Sequence, residues 1–322
     1  MSARATATLI VSPLASRIRD EAVRRRVVAG ATASIERRGH DRIDVIESAD
    51  SSSIAAAAGA AVDGAATLVV LAGGDGTIRD AAGALADTGT EVGIVPCGTG
   101  NLYATSAGVP RSLDAALAAL ATGAARSFDI GEVRLVAPAA TRAGLPVGAA
   151  PMPFGVACGT GFDARLIAAT DRQMKRRYGV AAYFLAASRL LPTLVPLPTV
   201  LVIDGVRTEL ESVVVLVANC GEALPGRLRP RLPIAPDDGV LNVFVLPRGG
   251  VLGGIRGVLE LMTAESHGTS PSGHAVRLVG REVRVEVHPA APTQVDGDAY
   301  PAAWLDARIR PGALRVIRPV GA

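Results

Sequence analysis

Three glycines within four residues form the first candidate for chemistry in this chain, in the segment Gly73-Gly74-Asp75-Gly76-Thr77. The segment follows an apolar run and opens a helical pattern, so its glycines allow the backbone to approach a ligand closely. The N–H groups at the start of the helix would face an anion, and Thr77 can cap the helix or bind that anion. A carboxylate repels phosphate, so Asp75 indicates a divalent cation or a bound hydroxyl between the two.

A second turn of similar character is Pro96-Cys97-Gly98-Thr99-Gly100-Asn101, which also follows a strand-like run. Neighbouring strands of an open parallel sheet share one carboxyl edge, where ligands bind. We therefore expect the two glycine turns to lie side by side, with Thr99 and Asn101 offering hydrogen bonds to a phosphate or a ribose. Neither turn is a P-loop, because the G-x-x-x-x-G-K-[ST] pattern is absent, and no G-x-G-x-x-G pattern follows the first strand.

Two acidic turns in the second half of the chain have residue types suited to proton transfer or metal binding: Asp296-Gly297-Asp298 and Asp237-Asp238-Gly239. Taken alone, each Asp-Gly pair predicts an ordinary hairpin turn. Only a match to the order of a known family gives these turns a functional interpretation.

The first 125 residues alternate between strand and helix patterns, which predicts a parallel sheet covered by helices on both faces. The apolar run Thr67–Ala72 is continuous, as in a strand buried on both sides. The other predicted strands are Thr6–Val11, Ile43–Glu47 and Val92–Val95, and the predicted helices are Arg17–Arg38, Ser52–Val62, Ile78–Ala86 and Leu113–Ala121.

The pattern changes near Phe128, after which strand-like segments dominate and many alternate between apolar and polar residues. Such alternation is typical of antiparallel sheets with one face on a core. Helical stretches are expected at Arg172–Leu191 and at Ile255–Ala264, and an exposed loop at 137–152. The predicted strands are Glu132–Val136, Phe154–Ala157, Thr199–Ile203, Ser212–Val217, Val240–Leu246, Val276–Leu278, Val283–His288 and Leu314–Ile317.

Gly73–Thr77 followed by Gly98–Asn101 resembles the diacylglycerol kinase catalytic-domain family, which includes sphingosine kinases and other lipid kinases. Further segments resemble that family in the same order, and together they cover nearly the whole chain. They are Phe128–Gly131, Gly159–Ala164, Lys175–Tyr183, Asp237–Leu241 and Asp296–Asp298.

The resemblance implies an α/β fold with an N-terminal phosphofructokinase-like, Rossmann-type α/β domain and a C-terminal antiparallel β-sandwich. The active site would lie in the cleft between them. We expect residues 1–130 to form the ATP-binding domain, to which the last few residues of the chain return. Residues 131–322 would form the β-rich domain for the lipid substrate.

The resemblance also implies roles for individual residues. Asp298 would be the general base that takes the proton from the lipid hydroxyl, with Asp296 beside it and Asp75 as a further catalytic carboxylate. Asp238, with the carbonyls of Ala235 and Val240, matches a structural Mg²⁺ position. The ATP-binding residues would be Ser48, Gly73, Gly74, Asp75, Gly76, Thr77, Asp80, Gly98, Thr99, Gly100 and Asn101.

The chain departs from the family pattern at several positions. Ser12-Pro13 replaces the usual Asn-Pro after the first strand, and Arg79 stands where asparagine is usual. Asp298 is one methylene shorter than the usual glutamate, and Asn219–Pro230 lacks the usual glycine cluster. These departures leave open a non-catalytic protein that binds a nucleotide or lipid. They also leave Arg79 as an alternative source of positive charge for the phosphates.

The composition of the chain limits which classes of partner the protein is expected to bind. The net charge of +3 and the pI of about 9.0 are compatible with a nucleotide or an anionic membrane. Aromatic residues make up 3% of the chain, which argues against nucleic acid as a substrate. A basic cluster at Arg172–Arg177 suits an anionic membrane surface, and Tyr178–Leu191 suits either a lipid pocket or core packing. The stretch 179–201 carries Arg189 and three prolines, so a spanning helix is not expected.

We therefore predict a cytoplasmic, peripherally membrane-associated lipid kinase that uses ATP and Mg²⁺. Its acceptor would be diacylglycerol or a sphingoid-like lipid, and a homodimer is only the generic expectation. NAD kinase is the alternative enzyme, because that family shares the Gly-Gly-Asp-Gly turn and the two-domain plan. Against it, no Asn-Glu motif for nucleoside recognition follows the second turn.

Overall fold

The structure is a computed structural model that describes residues 6–48, 50–137, 150–161, 195–221, 234–247, 256, 268–269 and 275–321. The chain forms two compact units, one of Met1–Ile130 with Arg310–Ala322 and one of Gly131–Ile309. The basic cluster at Arg172–Arg177, the Tyr178–Leu191 segment and the helix predicted there lie outside the described residues. So do most of the predicted Ile255–Ala264 helix and most of the predicted loop at 137–152.

The first unit alternates strands with helices along the chain. Its strands are β1 (Thr6–Val11), β2 (Arg42–Glu47), β3 (Leu68–Gly73) and β4 (Glu91–Pro96), together with parts of β5 (Ala124–Val136) and of β16 (Trp304–Arg318). Its helices are α1 (Glu21–Arg37), α2 (Ser51–Asp63), α3 (Asp75–Leu85), α4 (Leu102–Ser106) and α5 (Leu113–Thr122).

The strands of this unit pair in the order β2-β1-β3-β4-β16, and every one of these pairs is parallel. All six residues of β3 are buried, as expected for a strand that is covered on both faces. Gly73 at the end of β3 lies opposite Pro96 at the end of β4. The turns that follow these two strands therefore leave the sheet at the same edge and at the same height.

The helices of this unit differ in how their N-termini are capped. Asp20 caps α1, Asp50 caps α2 and Ser112 caps α5, each by accepting a backbone N–H. The two helices that begin at the glycine turns receive no side-chain cap from the preceding residue, which is Gly74 for α3 and Asn101 for α4, but the Asp75 carboxylate accepts the N–H of Tyr103 in α4. The start of α3, which no side chain caps, is therefore available to an anion.

The second unit is built from antiparallel pairs. Its further strands are β6 (Met152–Phe154), β7 (Ala157–Gly161), β8 (Leu197–Ile203), β9 (Val206–Ala218), β10 (Leu241–Pro247), β11 (Gly268–Thr269), β12 (Val276–Gly280), β13 (Glu282–Val287), β14 (Pro292–Val295) and β15 (Asp298–Ala302). One path runs β16-β13-β8-β9-β10-β12-β11, and a branch runs β9-β7-β14-β15.

Side chains alternate along these strands as an antiparallel sheet with one buried face requires. In β13, Val283, Val285 and Val287 are buried whereas Glu282 and Arg284 are exposed. These valines join Leu201, Val215, Val243 and Leu305 in one apolar core. Within the described part of the chain, no helix is long and apolar enough to cross a membrane.

Candidate active site

The first glycine turn connects β3 to α3 and is held by backbone hydrogen bonds. Gly74 O accepts the N–H of Thr77 at 3.0 Å, and Gly73 O accepts the N–H of Cys97 at 2.7 Å. A Cβ on Gly73 would lie 2.2 Å from Thr77 Oγ1, so only glycine leaves room for the buried Thr77 side chain. Gly76, by contrast, has open space around its Cα.

The two glycine turns touch. A Cβ on Gly98 would lie 2.6 Å from Gly74 Cα, and a Cβ on Gly74 would lie 3.1 Å from Gly98 Cα. The N–H of Gly98 also points to Gly73 O at 3.2 Å. The structure thus brings together the two segments that the sequence analysis placed at one sheet edge.

Asn101 shapes the second turn from inside. Its side chain is buried, its Oδ1 accepts the N–H of Gly98 at 2.9 Å, and its Nδ2 donates to Gly98 O at 2.8 Å. Its φ of 52° lies in the left-handed region that asparagine tolerates better than most residues. Both groups of the Asn101 amide are therefore used within the turn, which makes this residue a scaffold for the loop that carries Thr99.

The carboxylate of Asp75 joins the first turn to the helix after the second one. Its Oδ1 accepts the N–H of Tyr103 at 3.0 Å. Burial raises the pKa of the Asp75 carboxyl above its ordinary value, and the backbone N–H groups of Leu102, Tyr103 and Asn101 act in the opposite direction. A Cβ on Gly100 would lie 2.8 Å from Asp75 Oδ2, so this carboxylate fills the space that Gly100 leaves.

Two hydroxyls predicted to contact a nucleotide have different surroundings. Thr99 is exposed, and its Oγ1 donates to Ser16 Oγ at 3.1 Å. Ser48 follows β2, donates its N–H to Val11 O at 2.9 Å, and is buried. Among the residues the structure describes, the Ser48 hydroxyl has no hydrogen-bond partner. The Ser48 hydroxyl is thus a buried group whose bonding capacity the described residues leave unused.

The charge of Asp80 is met by its neighbour in sequence. Arg79 donates from Nε and Nη2 to Asp80 Oδ1 at 3.1 and 3.0 Å, and both side chains are mostly buried. Arg79, which stands where asparagine is usual in the family, therefore forms an ion pair with Asp80. A phosphate near this helix therefore meets a neutral pair rather than an isolated carboxylate.

In the second unit, Asp296 and Gly297 form the two-residue loop between β14 and β15, with φ angles of 47° and 83°. Positive φ at both positions is the type I′ geometry that closes tight hairpins. The Asp296 carboxylate accepts the N–H groups of Gly155, Val156 and Ala157 at 2.8, 2.9 and 3.0 Å. Asp296 therefore anchors the hairpin to the segment that leads into β7.

Asp298 lies on the same hairpin, at the first position of β15, and is exposed. The turn thus separates two carboxylates that the sequence analysis had placed together as catalytic. Asp296 is engaged with backbone N–H groups, whereas Asp298 is exposed to solvent.

The predicted Mg²⁺ residues lie in a turn before β10. Asp238 is exposed, and its Oδ1 accepts the N–H of Val240 at 3.1 Å. A carboxylate with the carbonyls of Ala235 and Val240 is the hard oxygen set that Mg²⁺ prefers, so the residues fit this ion in kind. Burial lowers the pKa of the Arg277 guanidinium, and the negative charge of Asp238 raises it, so a cationic side chain already attracts this carboxylate.

Sequence reasoning missed two anchoring residues. Asp129 Oδ1 accepts the N–H of Gly312 at 2.7 Å, and the Asp129 carbonyl accepts the hydroxyl of Tyr103 at 3.1 Å. In the second unit, Asn219 Nδ2 donates to the Gly155 carbonyl at 3.0 Å, next to the bonds of Asp296. The comparison with the family had included both residues, in Phe128–Gly131 and Asn219–Pro230, but it gave no sign of their anchoring role because their partners are far away in sequence.

Two family models match the chain. The diacylglycerol kinase catalytic domain matches residues 7–133, and the YegS C-terminal NAD kinase beta sandwich-like domain matches residues 156–318. Together they confirm the family resemblance and the fold class inferred from the sequence.

Three relatives have similar sequences. "Probable lipid kinase YegS-like" of Pseudomonas aeruginosa is 31% identical over 80% of this chain and 78% of its own length. The diacylglycerol kinase of Mycobacterium tuberculosis is 30% identical over 55% of this chain and 53% of its own length. An uncharacterized protein of Synechocystis is 26% identical over 79% of this chain, and the chain spans only 55% of that protein.

Solved structures share the fold. A crystal structure from Bacillus anthracis superposes with a TM-score of 0.75 at 18% identity and covers 98% of both chains. A diacylglycerol kinase structure from the same organism gives a TM-score of 0.69 at 16% identity, covering 98% of this chain and 97% of its own. With the family models and the Pseudomonas relative, these matches show that the chain is a kinase and belongs to the diacylglycerol kinase catalytic-domain family of lipid kinases.

Proposed function

We propose that this kinase transfers the γ-phosphoryl group of ATP to the hydroxyl of a lipid, either diacylglycerol or a sphingoid-like lipid. The observation that supports it most is the direct contact of the two glycine turns at one edge of the parallel sheet. Glycine at Gly74 and Gly98 is required for that contact, and the contact lies beside the start of α3, which has no side-chain cap. This arrangement suits the binding of several phosphates by backbone N–H groups.

In this proposal the nucleotide lies over the glycine turns. The start of α3, from Gly74 to Thr77, would bind the phosphates, with Gly73 making room for the Thr77 side chain. The exposed Thr99 hydroxyl and the buried Ser48 hydroxyl would bond to the nucleotide. Asp75, Asn101 and Gly100 would hold the turns in shape, and Asp80 would stay paired with Arg79.

Asp298 is the proposed general base. Its carboxylate would accept the proton of the lipid hydroxyl while the hydroxyl oxygen forms a bond to the γ-phosphorus of ATP. The bond between that phosphorus and the β–γ bridging oxygen breaks, and ADP leaves with the electron pair. A carboxylate suffices here because phosphoryl transfer depends mainly on positioning and charge neutralisation. Asp296 would act on this step only through the hairpin that it anchors.

Mg²⁺ bound with ATP would neutralise charge on the transferred phosphoryl group. A second, structural Mg²⁺ is proposed at Asp238 with the carbonyls of Ala235 and Val240. The nearby Arg277 already supplies positive charge to Asp238. We therefore expect this site to bind Mg²⁺ weakly.

A lipid acceptor places the reaction at a membrane surface, so we propose peripheral membrane association on the cytoplasmic side. The mild net charge of +3 is compatible with an anionic surface. A homodimer remains the generic expectation for the assembly.

The deciding experiment is transfer of radiolabel from γ-labelled ATP, with Mg²⁺, to mixed micelles of diacylglycerol, sphingosine, ceramide or monoacylglycerol. Label in one lipid band that disappears in Asp298→Asn would support both the acceptor class and the base. NAD serves as a parallel acceptor, since formation of NADP would favour the NAD kinase alternative. ATP binding without transfer to any acceptor would favour a non-catalytic regulator and contradict the proposal.

A further inference from the structure

A cavity of about 800 Å³ opens in the first unit. It lies at the amino ends of the strands, because Thr67 precedes β3 and Glu91 is the first residue of β4. The glycine turns follow the last residues of the same two strands, so the cavity is at the opposite edge of the sheet. Its polar lining includes Arg37, Arg38, His40, Thr67, Glu91 and Arg315.

One of the arginines in the cavity is already neutralised. Arg38 Nη2 lies 2.7 Å from Glu91 Oε2, and Arg38 Nη1 donates to the carbonyls of Leu120 and Gly123 at 3.3 and 2.9 Å. Most of the N–H groups of Arg38 are used in these contacts. The pair fastens the end of α1 to the start of β4 and contributes no net charge to the cavity.

Two further arginines remain in excess. Arg315 Nη1 donates to Gly89 O at 3.2 Å, and its Nη2 lies 3.6 Å from Glu91, which Arg38 holds more closely. Arg37 donates from Nε to Ala33 O and from Nη2 to Ser34 Oγ, both at 3.2 Å. A guanidinium carries five N–H donors, so each arginine retains donors for a ligand. Three arginines against one glutamate leave two positive charges on the lining.

His40 adds an imidazole ring to the cavity lining, and one of its two nitrogens contacts a neighbouring side chain. The ring is buried, with 7% of the residue exposed, and Nε2 lies 3.1 Å from Thr67 Oγ1. The Thr67 hydroxyl donates to Thr6 O at 3.3 Å, so it accepts the Nε2 proton of a neutral His40. Within the described residues, His40 Nδ1 makes no hydrogen bond of normal geometry, although an interaction with the Ile35 backbone raises the pKa of the ring.

We propose that this cavity is a second binding site of the protein and that its ligand is a small organic phosphate monoester. Two guanidinium groups in excess match the double charge and the paired oxygens of such a phosphate. The cavity is much larger than a bare phosphate ion and falls within the range of small-molecule sites. Val62, Ala65, Ala66 and Ala121 provide an apolar wall for the organic part.

The ligand phosphate could belong to a soluble ester or to a phospholipid head group, and two experiments separate these sources. In the first, glycerol 3-phosphate is titrated into the full-length protein while the ring resonances of His40 are followed by NMR. Burial and the charge of Arg38 lower the pKa of His40, whereas Glu91 and Asp41 raise it. An anion bound in the cavity raises this lowered pKa, and an anion at the distant glycine turns leaves it unchanged.

The tests use Arg315→Gln and Arg37→Gln, with Arg25→Gln as the matched control. Arg25 lies on the same helix as Arg37, but it is exposed, pairs with Glu21 and does not line the cavity. Each cavity variant should weaken glycerol 3-phosphate binding about tenfold, as expected for loss of a charge-assisted contact. The control should bind like the wild type, and circular dichroism should show that all three variants are folded.

In the second experiment, the protein is sedimented with phosphatidylcholine vesicles that contain or lack phosphatidic acid. Phosphatidic acid-dependent sedimentation that Arg315→Gln weakens would support the head group as the source. Glycerol 3-phosphate binding without such sedimentation would support a soluble ester. Absence of a saturable His40 shift together with absence of vesicle binding would overturn the proposal, as would equal binding by Arg315→Gln and the wild type.

Discussion

Gly74 and Gly98 approach so closely that a Cβ on Gly98 would lie 2.6 Å from the Cα of Gly74. These residues follow neighbouring parallel strands, and their backbones form the floor of the proposed nucleotide site. The contact explains why both turns need glycine for packing alone. It also means that the geometry of one turn sets that of the other.

Gly98→Ala should destabilise the protein and abolish kinase activity. The new methyl group would meet backbone at Gly74 and the Asn101 Oδ1 atom at 2.8 Å, and neither can move aside easily. Overpacking of this kind costs about 1–3 kcal/mol, which urea unfolding would measure. Gly76→Ala is the matched control, since open space surrounds Gly76. It should unfold like the wild type, and a similar loss of stability in both variants would refute the packing argument.

Asp75→Ala should remove both activity and part of the stability. The Asp75 carboxylate accepts the N–H of Tyr103 at the start of α4, and its loss leaves that group without its acceptor. Loss of a hydrogen bond to a charged group costs about 1.5–3 kcal/mol, measurable by chemical denaturation. Asp75→Asn keeps an oxygen for this bond and should recover part of the stability. If Asp75→Ala retained full stability, the carboxylate would have no part in joining the turns.

The sequence predicts the core of the candidate site well because its signals are local. Gly73–Thr77 and Gly98–Asn101 each follow an apolar strand, and the rule that parallel strands share a carboxyl edge predicts their proximity. The Thr6–Val11 strand has the same bounds in the structure, α5 is one residue longer at one end than predicted, and α2 is one residue longer at each end. Strand periodicity and turn residues carry this information within a few positions.

Other features depend on contacts between distant parts of the chain. The expected strand Phe154–Ala157 is divided between β6 and β7, because Asp296 and Asn219 bond to the backbone at the break. The second glycine turn was expected to open a helix, and the structure shows that this helix, α4, is short and has its start bonded to Asp75 from the other turn. The role of Asp296 also escaped prediction, since its three partners lie about 140 residues earlier.

Asp296→Asn should lower the stability of the protein, whereas Asp298→Asn should leave it nearly unchanged. The amide at position 296 would turn an N–H₂ group toward one of three backbone donors, at a cost of about 2–3 kcal/mol in unfolding free energy. Asp298 is exposed, so its substitution should change stability by less than about 1 kcal/mol.

Kinetics separate the two roles further. Loss of a general base lowers kcat by about 10² to 10⁴ with little change in the KM for ATP, which we expect for Asp298→Asn. Asp296→Asn should lower kcat less and should recover activity at reduced temperature, where the hairpin is better held. Equal loss of kcat in two fully stable variants would instead make Asp296 a catalytic residue.

The stability of the protein should fall as pH drops below about 6.5 because of His40. Burial and the neighbouring Arg38 lower the pKa of this residue from 6.5, so the folded protein keeps the ring neutral where the unfolded chain protonates it. Protons bound only by the unfolded chain favour unfolding, so stability declines from about pH 6.5 down to the folded pKa and levels off below it. Above pH 6.5 the His40 ring is neutral in both the folded and the unfolded state and adds no pH dependence.

Urea unfolding across this range, compared between the wild type and His40→Gln, isolates the effect, because glutamine can still donate to Thr67 but does not titrate. Identical pH profiles for the two proteins would show that His40 keeps an ordinary pKa in the folded state.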